Sequence, residues 1–261
     1  MMNILEKIIA QKRVEVQRRK KSTTVQQLEN GPFYKNATLS LKDYLLRKDK
    51  NGIIAEFKKK SPSKGVINDK AEVKEVTAGY TKYGASALSV LTDEEFFGGS
   101  LNDLLEATVN EIPILRKDFI IEEYQLTESK AYGAEAILLI AACLSRDEVK
   151  KLSSFAKNIG LNVLLEIHNE EELEHICNDI DVIGVNNRDL KTFKVDINRS
   201  VELSKMIPAG MTKISESGID DPESIKLLKE CGYNGFLIGE KFMKHTNPTI
   251  AFAQFAEQLK N

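Results

Sequence analysis

Residues 136–167 read AILLIAACLSRDEVKKLSSFAKNIGLNVLLEI, and this stretch decides the fold. Ala136 to Ile140 and Asn162 to Ile167 are short, nearly unbroken apolar runs, and the amphipathic segment Arg146 to Ile159 lies between them. A strand apolar on both faces belongs to a sheet covered on both faces, and a helical crossover between two such strands implies that they run parallel. Gly160 stands between the helix and the second strand, where a left-handed C-terminal cap is expected.

The same unit recurs on either side. Toward the N-terminus, Ile53 to Phe57 precedes the periodic segment Glu72 to Tyr83, and Ala87 to Leu91 precedes Ser100 to Val109. Ile114-Leu115 then precedes Glu122 to Tyr132. Toward the C-terminus, Asn162 to Ile167 leads into a helix expected over Glu170 to Cys177, and Val182 to Val185 leads into Asn198 to Met206. Lys213-Ile214 precedes Pro222 to Glu230, and Gly235 to Gly239 precedes Pro248 to Leu259. Eight units of about 20 to 28 residues favour an α/β fold closed into a (β/α)8 TIM barrel over an open sheet. Gly84, Gly133 and Gly232 repeat the cap position of Gly160. Residues 1 to about 50 fall outside this count. They hold two helical stretches, Asn3 to Arg19 and Leu39 to Arg47, around a Gly31-Pro32 turn. They are too short for a core of their own, so they are expected to cap the barrel within one domain, 1–261.

Composition narrows the function. With 42% hydrophobic residues the 261-residue chain can bury one sizeable core, and a formal charge of -2 lacks the electrostatic footprint of a nucleic-acid binder. No apolar run approaches the roughly 20 residues of a membrane helix. Cys143, Cys177 and Cys231 are an odd number without a CxxC pair, which suits reduced, buried thiols in a cytoplasmic protein. His168, His175 and His245 form no HExxH or other dense ligand cluster, so no metal site is expected. The basic run Lys12, Arg13, Arg18 to Lys21 sits on a helix that also carries Glu6 and Glu15. It reads as a solvated helix face and not as a transit peptide.

Active sites of such barrels lie at the C-terminal ends of the strands. Those positions hold Glu56 and Lys58, Lys117, Glu166, Asn186 and Arg188, Glu216 and Ser217, and Gly239. A single charge at a strand end is ordinarily the first solvated residue of a loop. Carboxylates and amines converging on one mouth from several strands, with Glu56 and Lys58 on one face at a spacing of two, indicate a site. A phosphate cup is expected where Ser217-Gly218 and Gly239-Glu240 follow the last two strands, since loops there often bind phosphate and glycine lets backbone N–H groups come close. Ser61-Pro62-Ser63 on the first loop, among Lys58, Lys59, Lys60 and Lys64, supplies matching charge.

The motifs in which these residues lie resemble one family. Ile54-Ala55-Glu56-Phe57-Lys58-Lys59-Lys60-Ser61-Pro62-Ser63 is similar to the first-strand motif of indole-3-glycerol phosphate synthases. Leu91-Thr92-Asp93 with Phe96-Phe97-Gly98-Gly99, Leu115-Arg116-Lys117-Asp118-Phe119 and Leu165-Glu166-Ile167-His168 follow in order. Gly184 to Leu190, Ser215-Glu216-Ser217-Gly218-Ile219 and Leu237-Ile238-Gly239-Glu240 complete the series. One position departs: Lys241 stands where many members have a small residue.

The resemblance implies ring closure, decarboxylation and dehydration of 1-(2-carboxyphenylamino)-1-deoxyribulose 5-phosphate to indole-3-glycerol phosphate, in tryptophan biosynthesis and without a cofactor. It makes Lys117 the acid at the ketone and Glu166 the base. Lys58 would hold the substrate carboxylate, with Glu56 setting the lysines, and either lysine could serve as acid in the dehydration. Asn186, Arg188 and Glu216 would orient hydroxyls and carboxylate, while Phe97 and Leu237 would pack on the aromatic ring. Ser61, Gly218, Gly239 and Glu240 would hold the phosphate, beside Ser217. The expected partner is a phosphorylated small molecule, with no nucleic acid or membrane, and the chain is expected as a monomer, with association with other tryptophan-pathway enzymes left open. Three rival readings compete: a Schiff-base lyase or aldolase using Lys58 or Lys117 as nucleophile; phosphoribosylanthranilate isomerase, which the Glu56-Phe57-Lys58 strand and the N-terminal extension do not suit; and a non-catalytic phosphate-ligand sensor or scaffold, against which the acids and bases beside the phosphate loops argue.

Overall fold

The computed structural model describes residues 3–190 and 192–260. Its eight barrel strands are β1 (Ile53–Phe57), β2 (Ala87–Leu91), β3 (Ile114–Lys117), β4 (Ala136–Ile140), β5 (Asn162–Ile167), β6 (Val182–Asn186), β7 (Thr212–Glu216) and β8 (Gly235–Ile238). Each pairs in parallel with its sequence neighbours, and β8 closes on β1 through Ile53 opposite Phe236 and Ile54 opposite Leu237. Near-complete burial of all eight strands is the consequence of that closure.

Inside the barrel, Ile54, Ala87, Leu115, Leu138, Leu164, Val182 and Ile214 form one apolar cluster, as the inward set of each strand must. The alternate residues, Val90, Ile137, Leu139, Val163 and Phe236 among them, pack outward onto the helices. The outer helices are α4 (Val73–Lys82), α5 (Leu101–Ala107), α6 (Glu123–Ala131), α7 (Arg146–Asn158), α8 (Asn198–Leu203), α9 (Pro222–Glu230) and α11 (Pro248–Gln258). Gly84, Gly133, Gly160 and Gly232 adopt φ of 92°, 84°, 81° and 82°, the left-handed conformation expected of them.

Three helices precede β1: α1 (Ile4–Ser22), α2 (Val25–Glu29) and α3 (Leu41–Leu46). A capping box starts α1, with Asn3 accepting from Glu6 N and Glu6 accepting from Asn3 N, both at 2.9 Å. Leu41 and Leu45 of α3 join the apolar cluster inside the barrel. Among the described residues, no helix is long and apolar enough to cross a membrane.

Several expectations need correction. The helix expected over Glu170 to Cys177 is a single 3-10 segment, Glu171–His175. None of its residues is buried, and Leu173, Ile176 and Cys177 reach the core only half-buried, too little apolar contact to hold a longer helix. Two further short helices, α2 and α10 (Glu240–Met243), and a hairpin of Lys60–Ser61 with Gly65–Val66 were not foreseen. The cysteines are free and half-buried, where full burial was expected. The basic run is solvated only in part: Arg13, Arg18, Lys20 and Lys21 are exposed, but Lys12 is buried, and the Arg19 side chain is only 11% exposed and ion-paired.

Candidate active site

Strand register sets the catalytic geometry. Leu91 is paired with Lys117, Ile140 with Glu166 and Asn186 with Glu216, so Lys117, Glu166, Asn186 and Glu216 stand at or next to the ends of four strands. They open into a cavity of about 630 Å³ at the C-terminal mouth, a volume suited to a small molecule. Glu56, Lys58, Ser61, Phe97, Lys117, Glu166, Asn186, Arg188, Glu216, Ser217, Gly218, Leu237, Gly239 and Glu240 all line this one cavity. So does Lys241, the departing residue, which is half-buried.

At the centre, Lys117 Nζ donates to Glu166 Oε2 and Glu216 Oε2 at 2.9 Å each. Burial disfavours an ammonium, but the two glutamates, with Glu56 adding, outweigh it and hold Lys117 protonated far above neutral pH. Burial also opposes charge on Glu166, yet Lys117 and His168 hold that carboxyl well below the usual range. Glu216 goes the other way. Burial pushes it up to about 7 against the pull of Lys117, with the Glu166 charge adding to the rise. Its Oε1 is buried without a hydrogen-bond partner. Beside this trio, Lys58 Nζ donates to Glu56 Oε1 at 2.6 Å, the pairing expected from their spacing along β1.

Two glycines make room for these carboxylates. A Cβ on Gly184 would lie 2.4 Å from Glu216 Oε1, and one on Gly239 would lie 2.5 Å from Glu56 Oε1. Any larger residue at either position would displace an acid of the site.

The phosphate loops have their own features. Ser217 and Gly218 adopt φ of 68° and 72°, and a left-handed non-glycine residue is uncommon outside sites that need it. Asn187 Nδ2 fastens this turn by donating to Ser217 O and to Ser215 Oγ, both at 3.0 Å. Gly239 caps the short α10, whose first N–H groups have no partner within the helix. On the first loop, Ser61 is buried and its Oγ has no hydrogen-bond partner. The Glu240 carboxylate lies 3.5 Å from Lys64 and 3.6 Å from Arg188, so its charge faces cations on both sides.

Sequence reasoning assigned no role to His168. Its Nδ1 and Nε2 lie 3.2 Å from Glu172 Oε2 and Glu166 Oε1, respectively. Burial would lower its pKa, but the two carboxylates raise it to about 9. The available signal was the spacing of two between Glu166 and His168, the same period that had linked Glu56 to Lys58.

Comparison with known proteins bears on this site. The family model described as "Indole-3-glycerol phosphate synthase" matches residues 5–255. An indole-3-glycerol phosphate synthase of Bacteroides thetaiotaomicron is 48% identical, covering 100% of both chains. One from Salinibacter ruber is 41% identical, covering 99% of this chain and 97% of its own. Among solved structures, tryptophan synthase subunit alpha from Legionella pneumophila superposes with a TM-score of 0.60 at 14% identity, covering 85% of this chain and 97% of that one. The tryptophan synthase complex from Pyrococcus furiosus gives 0.60 at 16% identity, with 81% and 98% covered. At those identities the structural likeness speaks for the barrel fold alone.

Proposed function

The chain belongs to the indole-3-glycerol phosphate synthase family, and from that premise we propose how its cavity carries out the ring closure, decarboxylation and dehydration of tryptophan biosynthesis. The substrate is 1-(2-carboxyphenylamino)-1-deoxyribulose 5-phosphate. The ring carbon bearing the carboxylate attacks the sugar ketone, and the ketone oxygen takes a proton as the new carbon–carbon bond forms. Lys117, kept as an ammonium by Glu166 and Glu216, is the donor. The bond to the carboxylate then breaks, carbon dioxide leaves, and its electron pair restores the aromatic ring. Finally the hydroxyl takes a proton from Lys58 or Lys117 and departs as water while a carbon-bound proton is removed, and Glu166, held ionised, is the base. Lys58, steadied by Glu56, holds the substrate carboxylate.

Asn186, Arg188 and Glu216 orient the hydroxyls and carboxylate, and Phe97 and Leu237 flank the aromatic ring. Backbone N–H groups around Gly218, Gly239 and Glu240, with the unpartnered Ser61 hydroxyl, receive the phosphate. In this reading residues 1–50 cap the barrel within one domain, and the protein works in the cytoplasm as a monomer able to associate with other enzymes of the pathway.

One observation carries the assignment of roles: a single buried ammonium lies 2.9 Å from each of two carboxylates at the mouth of the barrel. An amine held protonated is a proton donor and a poor nucleophile, which favours acid catalysis over a Schiff base. Incubating the purified protein with the carboxyphenylamino-ribulose phosphate tests the reading. Indole emission without a borohydride-trapped adduct is expected; a trapped adduct at Lys58 or Lys117 would reverse it.

A further inference from the structure

The N-terminal helix carries a buried ammonium that the reaction above does not use. Lys12 is 1% exposed, and its Nζ lies 2.9 Å from Glu15 Oε2, 2.9 Å from Asp93 Oδ2 and 2.8 Å from Asp118 Oδ1. Glu15 is on the same helix, whereas Asp93 and Asp118 stand just beyond the ends of β2 and β3. Burial opposes the Lys12 charge, but Asp118, Asp93 and Glu15 together hold the amine protonated.

The two aspartates also hold the backbone of the cavity's aromatic wall. Asp93 Oδ1 accepts from Phe96 N at 2.8 Å and from Phe97 N at 3.2 Å. Asp118 Oδ1 accepts from Phe119 N at 2.8 Å. The rings of Phe97 and Phe119 are tilted against each other with centroids 6.0 Å apart, and both line the cavity. Ile4, Leu5 and Ile8, earlier on the Lys12 helix, line it too. One cation therefore ties three chain segments together, each of which presents apolar side chains to the substrate space.

We infer that Lys12 is a positioning residue: by bridging Asp93 and Asp118 it sets the Phe97–Phe119 wall on which the substrate's aromatic ring packs. Without the ammonium, Asp93 loses its ion pair and Asp118 keeps only Arg116, so two buried carboxylates face each other with one cation fewer, and the loops bearing Phe97 and Phe119 must separate or rotate to solvate them. The inference rests on the proposed seat of the aromatic ring at Phe97.

A double-mutant cycle on the affinity for indole-3-glycerol phosphate, measured by titration of variants with native circular dichroism, tests both levels. Lys12→Met and Phe97→Leu are each expected to weaken binding about tenfold, and the double variant by little more than either alone, because both act through one wall. Lys12→Met with Ser61→Ala, at the phosphate end of the cavity, is expected to multiply in full, which a general loosening of the fold would not do. In turnover, Lys12→Met should raise KM more than it lowers kcat. If Lys12→Met does not fold, Lys12→Met/Asp93→Asn, which removes one charge of each sign, takes its place in the cycle. Full multiplication of Lys12→Met with Phe97→Leu overturns the inference. Unchanged affinity in Phe97→Leu alone overturns the ring's seat, and the inference with it.

Discussion

Lys117 and Asp118 are neighbours in sequence, yet each anchors a different buried ion cluster, and the contrast separates catalysis from scaffolding. The Lys117 cluster, with Glu166, Glu216 and His168, leaves polar capacity unused: Glu216 Oε1 is buried with no hydrogen-bond partner. The Asp118 carboxylate is saturated. Its Oδ1 meets Lys12 and Phe119 N, and its Oδ2 meets Thr92 Oγ1 at 2.6 Å and Arg116 at 2.9 Å. Arg116 in turn reaches Glu128 at 2.9 Å, the Gln125 carbonyl and Ser129 Oγ. Lys117 retains 14% of its side-chain exposure, Arg116 and Asp118 none. A β-strand sends successive side chains to opposite faces, so one residue's step moves a charge from the substrate space to the layer between barrel and helices. Unsatisfied valence marks the first cluster as the place for a ligand, and completed pairing marks the second as structure.

Substitution should divide the two clusters accordingly. Glu166→Gln keeps the shape of the side chain but removes the base. Steady-state assays are expected to show turnover lowered about 10²-fold or more with the fold retained. Arg116→Met leaves Asp118 and Glu128 short of a cation, and urea unfolding should register a loss of about 3 to 5 kcal/mol. A loss of activity per folded molecule from Arg116→Met as large as that from Glu166→Gln would erase the distinction.

His168 links the catalytic cluster to pH. Its folded pKa of about 9 lies above the ordinary 6.5, so the stability it contributes is fully present below about pH 6.5 and is lost as pH rises through 9. The contribution is at most about 3 kcal/mol. Thermal melts across that window should fall more steeply for the wild type than for His168→Gln, and parallel curves would remove the charge from His168. A smaller effect is expected of Gly184→Ala, whose methyl would press on Glu216 Oε1. It should lower kcat/KM about tenfold through displacement of that acid. Smallest of all, Arg13→Gln on the exposed side of α1 should shift stability by no more than about 0.5 kcal/mol.

The same contrast explains what could be read from the chain before its structure. Strand ends repeat with the period of the barrel, so Lys117, Glu166 and Glu216 were legible as a converging set, and the strands were placed to within a residue or two. The Asp118 cluster was not legible. Lys12 and Arg19 looked like part of a solvated basic run because Asp93, Asp118 and Glu128 lie far along the chain, and only closure of the barrel brings them to α1. Short elements such as α2 and α10 span too few turns to leave a periodic signature, and the segment Glu171–His175 has charge where a buried stripe would be needed.

Acid catalysis by the clasped ammonium is the claim on which the rest depends, and Lys117→Met tests it most directly. Indole emission from the carboxyphenylamino-ribulose phosphate and affinity for indole-3-glycerol phosphate should be measured on the same folded sample. The account predicts turnover reduced by about 10²-fold or more with product affinity within about tenfold of wild type. Turnover near the wild-type rate in that sample would contradict it.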